Sequence, residues 1–209
     1  MKGSIDSLTM PKPFGKILIS FHGGILMLKE KTRMTYDDYL ALPDEKRYEL
    51  MEGELFMVPA PDFYHQIVSG NIQFYLMDFV KKRNLGVVVD APVDVVMSPE
   101  DVLQPDILFI SRENRHIISK KNVSGAPDLV IEILSPSTQE RDKLVKRDIY
   151  SKYGVKEYWI VDPVGKNIEV MTSGSKGYKL HAIFLNDEVL TSPLIEGFSL
   201  PLKEVFTSF

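Results

Sequence analysis

Near the middle of the chain, Leu129-Val130-Ile131-Glu132-Ile133-Leu134 sets one carboxylate inside an otherwise apolar run. A run this short and this apolar reads as a central strand of a sheet, buried on both faces. An unpaired charge in such a place costs several kcal/mol, so the fold must answer Glu132 with a partner. Ser135-Pro136-Ser137-Thr138 ends the strand and doubles as a helix start, and the basic helix after it carries Lys146.

Simple lengths test whether the two meet. If Ser137 or Thr138 caps the helix, Lys146 lies about 12–14 Å along its axis at 1.5 Å per residue. Glu132 lies about 10 Å back along the strand from Ser135 at 3.3 Å per residue. A helix folded back on its own strand therefore brings Lys146 and Glu132 to similar depth. The alternative is an ordinary surface pair between Asp142 and Lys146, four residues apart. Tyr150, another four residues on, shares that stripe.

Asp106 is the second informative carboxylate. It opens Pro105-Asp106-Ile107-Leu108-Phe109-Ile110, and the residues after it read as a strand, so helix capping explains it poorly. Alternation puts Asp106, Leu108 and Ile110 on one strand face, and Asp128, Val130, Glu132 and Leu134 on another. If the two strands are neighbours, Asp106 and Glu132 share a side of the sheet. Two close carboxylates repel unless a cation lies between them, and hard oxygen ligands suit Mg²⁺ or Mn²⁺. The alternative for each acid alone is a strand-end charge reaching solvent.

The chain of 209 residues, 44% hydrophobic, suffices for one sizeable core: an extension at 1–33 and a domain at 34–209. Having no cysteine, it has no disulfide, thiolate zinc site or cysteine nucleophile, and this fits the cytoplasm. Its four histidines are too scattered for an H-x-x-x-H zinc pair. A net charge of -4 argues against a general electrostatic grip on nucleic acid, though not against a local basic groove. No apolar stretch approaches the roughly 18 residues that a membrane span needs.

Thr35 to Asp38 reads as a capping box for a short helix through Leu42. Arg47–Leu50 and Glu54–Val58 flank Glu52-Gly53 as a hairpin. Tyr64–Arg83 carries the longest helical pattern, with Gly86 stopping it soon after. Strands come next at 87–90, 93–97, 105–111 and 157–161. A hairpin closes around Gly174-Ser175-Lys176-Gly177, and the tail is short extended pieces with a last turn at 203–206. The class is α/β or α+β, with two helices beside a mixed sheet. Lys16 to Phe21 is an edge-strand candidate, and Met27 or Met34 opens the domain pattern. Several acids compete near Glu49, where a hairpin surface charge is the usual explanation. His65, at a helix start, reads as a cap or a hydrogen-bonded structural residue, and Trp159 as core packing.

Taken in order, these segments resemble the Uma-two family (domain of unknown function eight-twenty) of the PD-(D/E)XK superfamily. The resemblance covers about Met34 to Phe206. It rests on Tyr48-Glu49-Leu50, Gly53-Glu54-Leu55, His65-Gln66, Ala91 to Val95, Gln104-Pro105-Asp106 and Ala126 to Glu132. It continues through Leu134 to Thr138, Asp142, Lys146, Tyr150, Gly154-Val155, Glu157-Tyr158-Trp159 and Asp162-Pro163. The resemblance implies a restriction-endonuclease-like core, a mixed central sheet flanked by helices with additional β-hairpins. It further implies Mg²⁺ or Mn²⁺ on Asp106 and Glu132, completed by the backbone carbonyl of Ile133, and hydrolysis of DNA phosphodiester bonds.

The superfamily's lysine falls two residues beyond the second acid. That position is Leu134 here, so Lys146 on the next helix is its match, and Glu49 corresponds to an auxiliary acid. DNA contacts fall to Arg141, Lys143, Arg147 and Lys152 and to Lys81-Lys82-Arg83, whose alternative is two solvated helix faces. Two other functions stand beside the endonuclease: a nuclease-fold binding or assembly module with little activity, and a metal-dependent hydrolase of small phosphate esters. A homodimer is the expected assembly, with no membrane partner.

Overall fold

The computed structural model describes residues 33–42, 47–135 and 142–207, with nothing of the side chains of Asp142 and Lys143. Contacts divide the chain into Met1–Arg33 and Met34–Phe209, and the elements below all belong to the second unit. The expected extension, its edge strand at 16–21 and the helix cap at Ser137 or Thr138 lie outside the described residues.

The first helix, α1 (Tyr36–Leu40), starts at Thr35, whose backbone N–H donates to Asp38 Oδ2 at 2.9 Å. The reciprocal bond of a capping box thus forms as the sequence predicts. Strands β1 (Tyr48–Met51) and β2 (Glu54–Met57) pair antiparallel around Glu52 and Gly53, both at positive φ (51° and 75°). That is the twist a two-residue hairpin needs. Helix α2 (Phe63–Arg83) is capped by Asp62, which accepts the His65 N–H at 2.8 Å. It ends on Asn84 in the left-handed region rather than at Gly86. Gly86 begins β3 (Gly86–Asp90), where an added Cβ would stand 2.1 Å from the Ile110 carbonyl oxygen.

The remaining elements are β4 (Val95–Ser98), β5 (Asp101–Leu103), β6 (Ile107–Ser111), β7 (Val123–Ser124) and β8 (Leu129–Ile133). A π-helical turn, Asp142–Lys146, leads into α3 (Arg147–Tyr153), succeeded by β9 (Glu157–Asp162), β10 (Asn167–Gly174) and β11 (Gly177–Leu185). Strands β12 (Val189–Thr191) and β13 (Ser199–Pro201) and helix α4 (Leu202–Val205) complete the described part.

The larger sheet has the order β11-β10-β9-β8-β6-β3. It is mixed: β8 runs parallel to β9 and antiparallel to β6. The smaller sheet, β2-β1-β5-β4-β7, is a second layer where the sequence suggests only appended hairpins; β5 and β7 are too short to show a period.

Alternation divides the large sheet into two cores. Leu129, Ile131 and Ile133 face α2 (Val68, Ile72, Leu76, Val80) and the C-terminal tail (Phe198, Leu202, Val205). Val130 and Leu134 face the other way, toward Ile149 and Tyr150 of α3 and toward Met51 and Leu103 of the smaller sheet. Each fully buried Leu or Ile contributes about 1.5–3 kcal/mol by leaving water, so both faces pin the register of β8. Glu132 is committed to the α3 side. No helix among the described residues is long and apolar enough to cross a membrane.

Candidate active site

The register of β6 on β8 pairs Ile107 with Ile131 and Leu108 with Val130, so one step further Asp106 comes opposite Glu132. The adjacency that alternation anticipates is therefore present. Asp106 is anchored by the neighbouring backbone: its Oδ2 accepts the Ile133 N–H at 2.8 Å.

Glu132 is 2% exposed, and its answering charge is Lys146, itself 4% exposed. The Lys146 ammonium lies 3.1 Å from both Glu132 oxygens and 2.9 Å from Glu49 Oε1. Burial rules out a solvated surface role for this lysine. The depth match holds even though the helix enters through a π turn, wider than the α-helix that the length argument assumes.

Tyr150, one turn beyond Lys146, donates its hydroxyl to Glu132 Oε1 at 2.6 Å. Burial pushes its phenol well above the usual range, and the Glu132 and Glu49 charges push it further, so it remains a protonated donor. Its signal in the sequence is the i,i+4 spacing from Lys146.

Glu49 is no hairpin surface charge. It is 1% exposed, and its Oε1 accepts the Gln104 N–H at 2.9 Å. Its Oε2 is buried without a hydrogen-bond partner among the described residues, a costly state for a carboxylate oxygen.

His65 does more than its helix-start position indicates. Its Nε2 lies 3.2 Å from the Ile133 carbonyl oxygen and 3.3 Å from Asp106 Oδ2. Two acceptors at one ring nitrogen require the proton there. Burial lowers the imidazole pKa, but the bond to Asp106 and its charge outweigh this and leave it raised.

Glu49, His65, Gln104, Asp106, Glu132 and Lys146 line one cleft of about 50 Å³, together with Arg47, Ser135 and the 58–61 loop. At roughly 10–15 Å³ per water, the cleft has room for a few waters or a partly hydrated cation. Three carboxylates against the Lys146 ammonium and the Arg47 guanidinium leave one negative charge in excess when His65 is counted as neutral.

Hard oxygen donors are present in Asp106, Glu132, Glu49 Oε2 and the Ile133 carbonyl. Asp106 and Ile133 already point oxygens at the same atom, His65 Nε2. Among the described residues no three Asp, Glu or His side chains converge as a ready metal cluster. Two carboxylates and a carbonyl nevertheless fit Mg²⁺, which usually keeps several waters.

The basic residues expected to touch DNA fare differently. Arg141 lies outside the described residues, as does the side chain of Lys143. Arg147 pairs with its exposed neighbour Asp148 at 3.0 Å, and Lys152 reaches Asp101 at 3.5 Å; neither lines the cleft. Lys81-Lys82-Arg83 end α2 about 24–27 Å from His65 at 1.5 Å per residue, so they cannot share its site. Trp159 is core, as expected, with its Nε1–H bonded to Glu157 Oε1 at 2.6 Å.

A family model named Uma2, described as "Putative restriction endonuclease", matches residues 36–203. The crystal structure of a "putative nuclease belonging to DUF820" from Anabaena variabilis is similar, with a TM-score of 0.69 and 21% identity. That likeness covers 83% of this chain and 97% of the other, and at such identity it shows the fold. No curated protein matches.

Proposed function

The chain belongs to the Uma2 family of restriction-endonuclease-like nucleases, and from that premise we propose that its cleft hydrolyses DNA phosphodiester bonds with a divalent cation. The observation that carries this reading is Lys146, brought from the next helix onto Glu132 in the cleft that Asp106 also lines. Asp106, Glu132 and the Ile133 carbonyl would hold Mg²⁺ or Mn²⁺. The bound ion would supply Lewis-acid polarisation of the phosphate and a lowered pKa for an attacking water.

The protein's own groups do the rest. Between two carboxylates the ammonium form of Lys146 is favoured, so it donates: it orients the water and stabilises charge in the transition state. Tyr150 fixes the Glu132 rotamer. Glu49, accepting from Lys146, positions the amine from its far side and acts as the auxiliary acid. The absence of cysteine supports a reducing, cytoplasmic setting. A homodimer is supported by β11, an edge strand with Leu180, Ile183 and Leu185 exposed.

The test is cleavage of single- and double-stranded DNA with Mg²⁺ or Mn²⁺. Wild type is expected to cut, Glu132→Ala and Asp106→Ala to lose activity, and Lys146→Ala to lose most of it. Equal cutting by wild type and Glu132→Ala would refute the reading. A second reading, a binding module with little hydrolysis, is favoured by the engagement of both Glu132 oxygens by Lys146. DNA binding without cleavage by wild type under any divalent metal would select it.

A further inference from the structure

The cleft's nitrogen donors are unequally held. Lys146 is held by Glu49 and Glu132, and His65 by Asp106. Arg47 lines the same cleft, yet its one side-chain hydrogen bond among the described residues runs from Nε to the neutral Gln104 Oε1 at 3.0 Å. No carboxylate among the described residues forms an ion pair with it, in a site whose excess of carboxylates would otherwise repel a phosphodiester. The side chain is also aimed. The Arg47 carbonyl accepts the Val58 N–H at 2.9 Å, extending the β1–β2 ladder. Gln104, 9% exposed, donates Nε2 to Asp94 Oδ1 at 2.8 Å and to the Tyr39 hydroxyl at 3.3 Å, which turns its amide oxygen toward Arg47. Tyr39 in turn donates to Asp94 Oδ1 at 2.9 Å, so the chain of bonds is closed at its far end.

A guanidinium fixed through Nε keeps its terminal fork for a second acceptor, and that fork matches a phosphate's paired oxygens. Beside the cleft lies a second cavity of about 50 Å³, bounded by Gln66, Ser69 and Asp90, and Arg47 and Asp106 border both. A group in that position can hold the strand where it passes from one cavity to the next.

We propose that Arg47, aimed by Gln104, is the phosphate-binding residue of the cleft, gripping the nucleic-acid backbone beside the bond to be cut. The proposal rests on the nuclease reading above. Arg47 would touch substrate, and Gln104 is a positioning residue.

The experiment is fluorescence anisotropy of a short labelled single-stranded DNA, with Ca²⁺ replacing Mg²⁺ to prevent cutting, across a series of salt concentrations. Removing one phosphate contact lowers the slope of log K against log salt by about 0.7 for a single strand. Arg47→Ala is expected to show that drop with about 10-fold weaker binding. Arg47→Lys should keep the slope while losing affinity, since it keeps the charge without the fork. Gln104→Leu should also weaken binding at unchanged slope, because the charge stays but is no longer aimed. The slope does not depend on the folded fraction, so partial unfolding cannot imitate the result. Wild-type binding with an unchanged Arg47→Ala slope overturns this assignment alone. Wild-type affinity in Gln104→Leu overturns the aiming role. No DNA binding by wild type at any salt overturns the nuclease reading and this proposal together.

Discussion

Replacing Lys146 with methionine isolates what the ammonium does for the fold. The side chains of Lys146, Glu49 and Glu132 are 6%, 1% and 3% exposed, so little solvent screening offsets the loss. Methionine keeps most of the volume and removes three donors, at 2.9 Å from Glu49 and 3.1 Å from both oxygens of Glu132. Two carboxylates are then left in the buried wall of the cleft, answered among the described residues by Tyr150 and the Gln104 N–H. Breaking a buried pair by deleting one partner costs about 3–5 kcal/mol, a large part of the roughly 5–15 kcal/mol that holds a domain together. In urea with EDTA present, the midpoint should fall by about 2 M at unchanged slope, taking roughly 2 kcal/mol per M for a chain this size. Adding Glu49→Gln removes one of the stranded charges, so the double variant should be more stable than Lys146→Met alone. A Lys146→Met stability within about 1 kcal/mol of wild type would refute the claim that this lysine compensates the buried acids.

Two other carboxylates set the acid limit of the fold. Burial raises the Asp128 pKa, but Lys156 at 2.6 Å, the Ser111 N–H and Asn114 outweigh it and hold the group below its usual range. Asp101 is likewise raised by burial and lowered more by Tyr153, the Glu52 N–H and Ser98. Folded-state values below the unfolded one, about 3.9, mean a stabilisation present above that pH and lost as pH falls through the folded values. Thermal melts between pH 6 and pH 2 should show Asp128→Asn with a shallower acid limb than wild type; identical limbs would count against the assignment. The glycines give an opposed pair. Gly70→Ala, in the exposed middle of α2 with nothing within 4 Å of the new Cβ, should raise stability by about 0.5–1 kcal/mol. Gly86→Ala drives a Cβ onto the Ile110 carbonyl oxygen and Ser111 Cα, both backbone, and should cost about 3 kcal/mol or more by parting β3 from β6. Urea midpoints that move the same way for both would contradict the packing.

Local chemistry explains which parts of the molecule are legible in the sequence. Glu52-Gly53 announces its hairpin because the turn needs positive φ, and β8 announces itself because both of its faces are buried. Strand β5 does not. Asp101 begins it, buried because Ser98, Tyr153 and the Glu52 N–H bond it. The single register contact of Leu50 with Val102 that joins β1 to β5 spans some fifty residues, and no period in a window reports such a pairing. The end of α2 differs from its expected place for a related reason. Asn84 tolerates the left-handed cap, while Gly86 is glycine for the sake of the next strand's close approach to β6. In the site, Asp106, Glu132 and Lys146 are readable because each is out of place by the rules of its own element. Glu49 sits among other acids, and His65 has a sufficient local explanation. Only the long-range fold separates Glu49 from its neighbours and turns the His65 ring onto Asp106.

The closed face of β8 also accounts for the departure at Leu134. In an antiparallel or parallel strand, residues two apart share a face, so a lysine at 134 would project beside Glu132 on the side that α3 covers. Leu134 is 6% exposed and packs with Ile149 and Tyr150, so an ammonium at this position would have to displace the contacts that seat the helix on the sheet. A cation carried by the helix avoids the conflict, because the element that closes the face also delivers the charge to it. Tyr150, buried in the same cluster and bonded to Glu132, ties the two functions together. Moving the lysine back, as Leu134→Lys with Lys146→Leu, should therefore not restore a working site. It should lower stability by several kcal/mol through an ammonium in the apolar seat of α3. A double variant that melts like wild type and cuts DNA would show that the helix position is incidental.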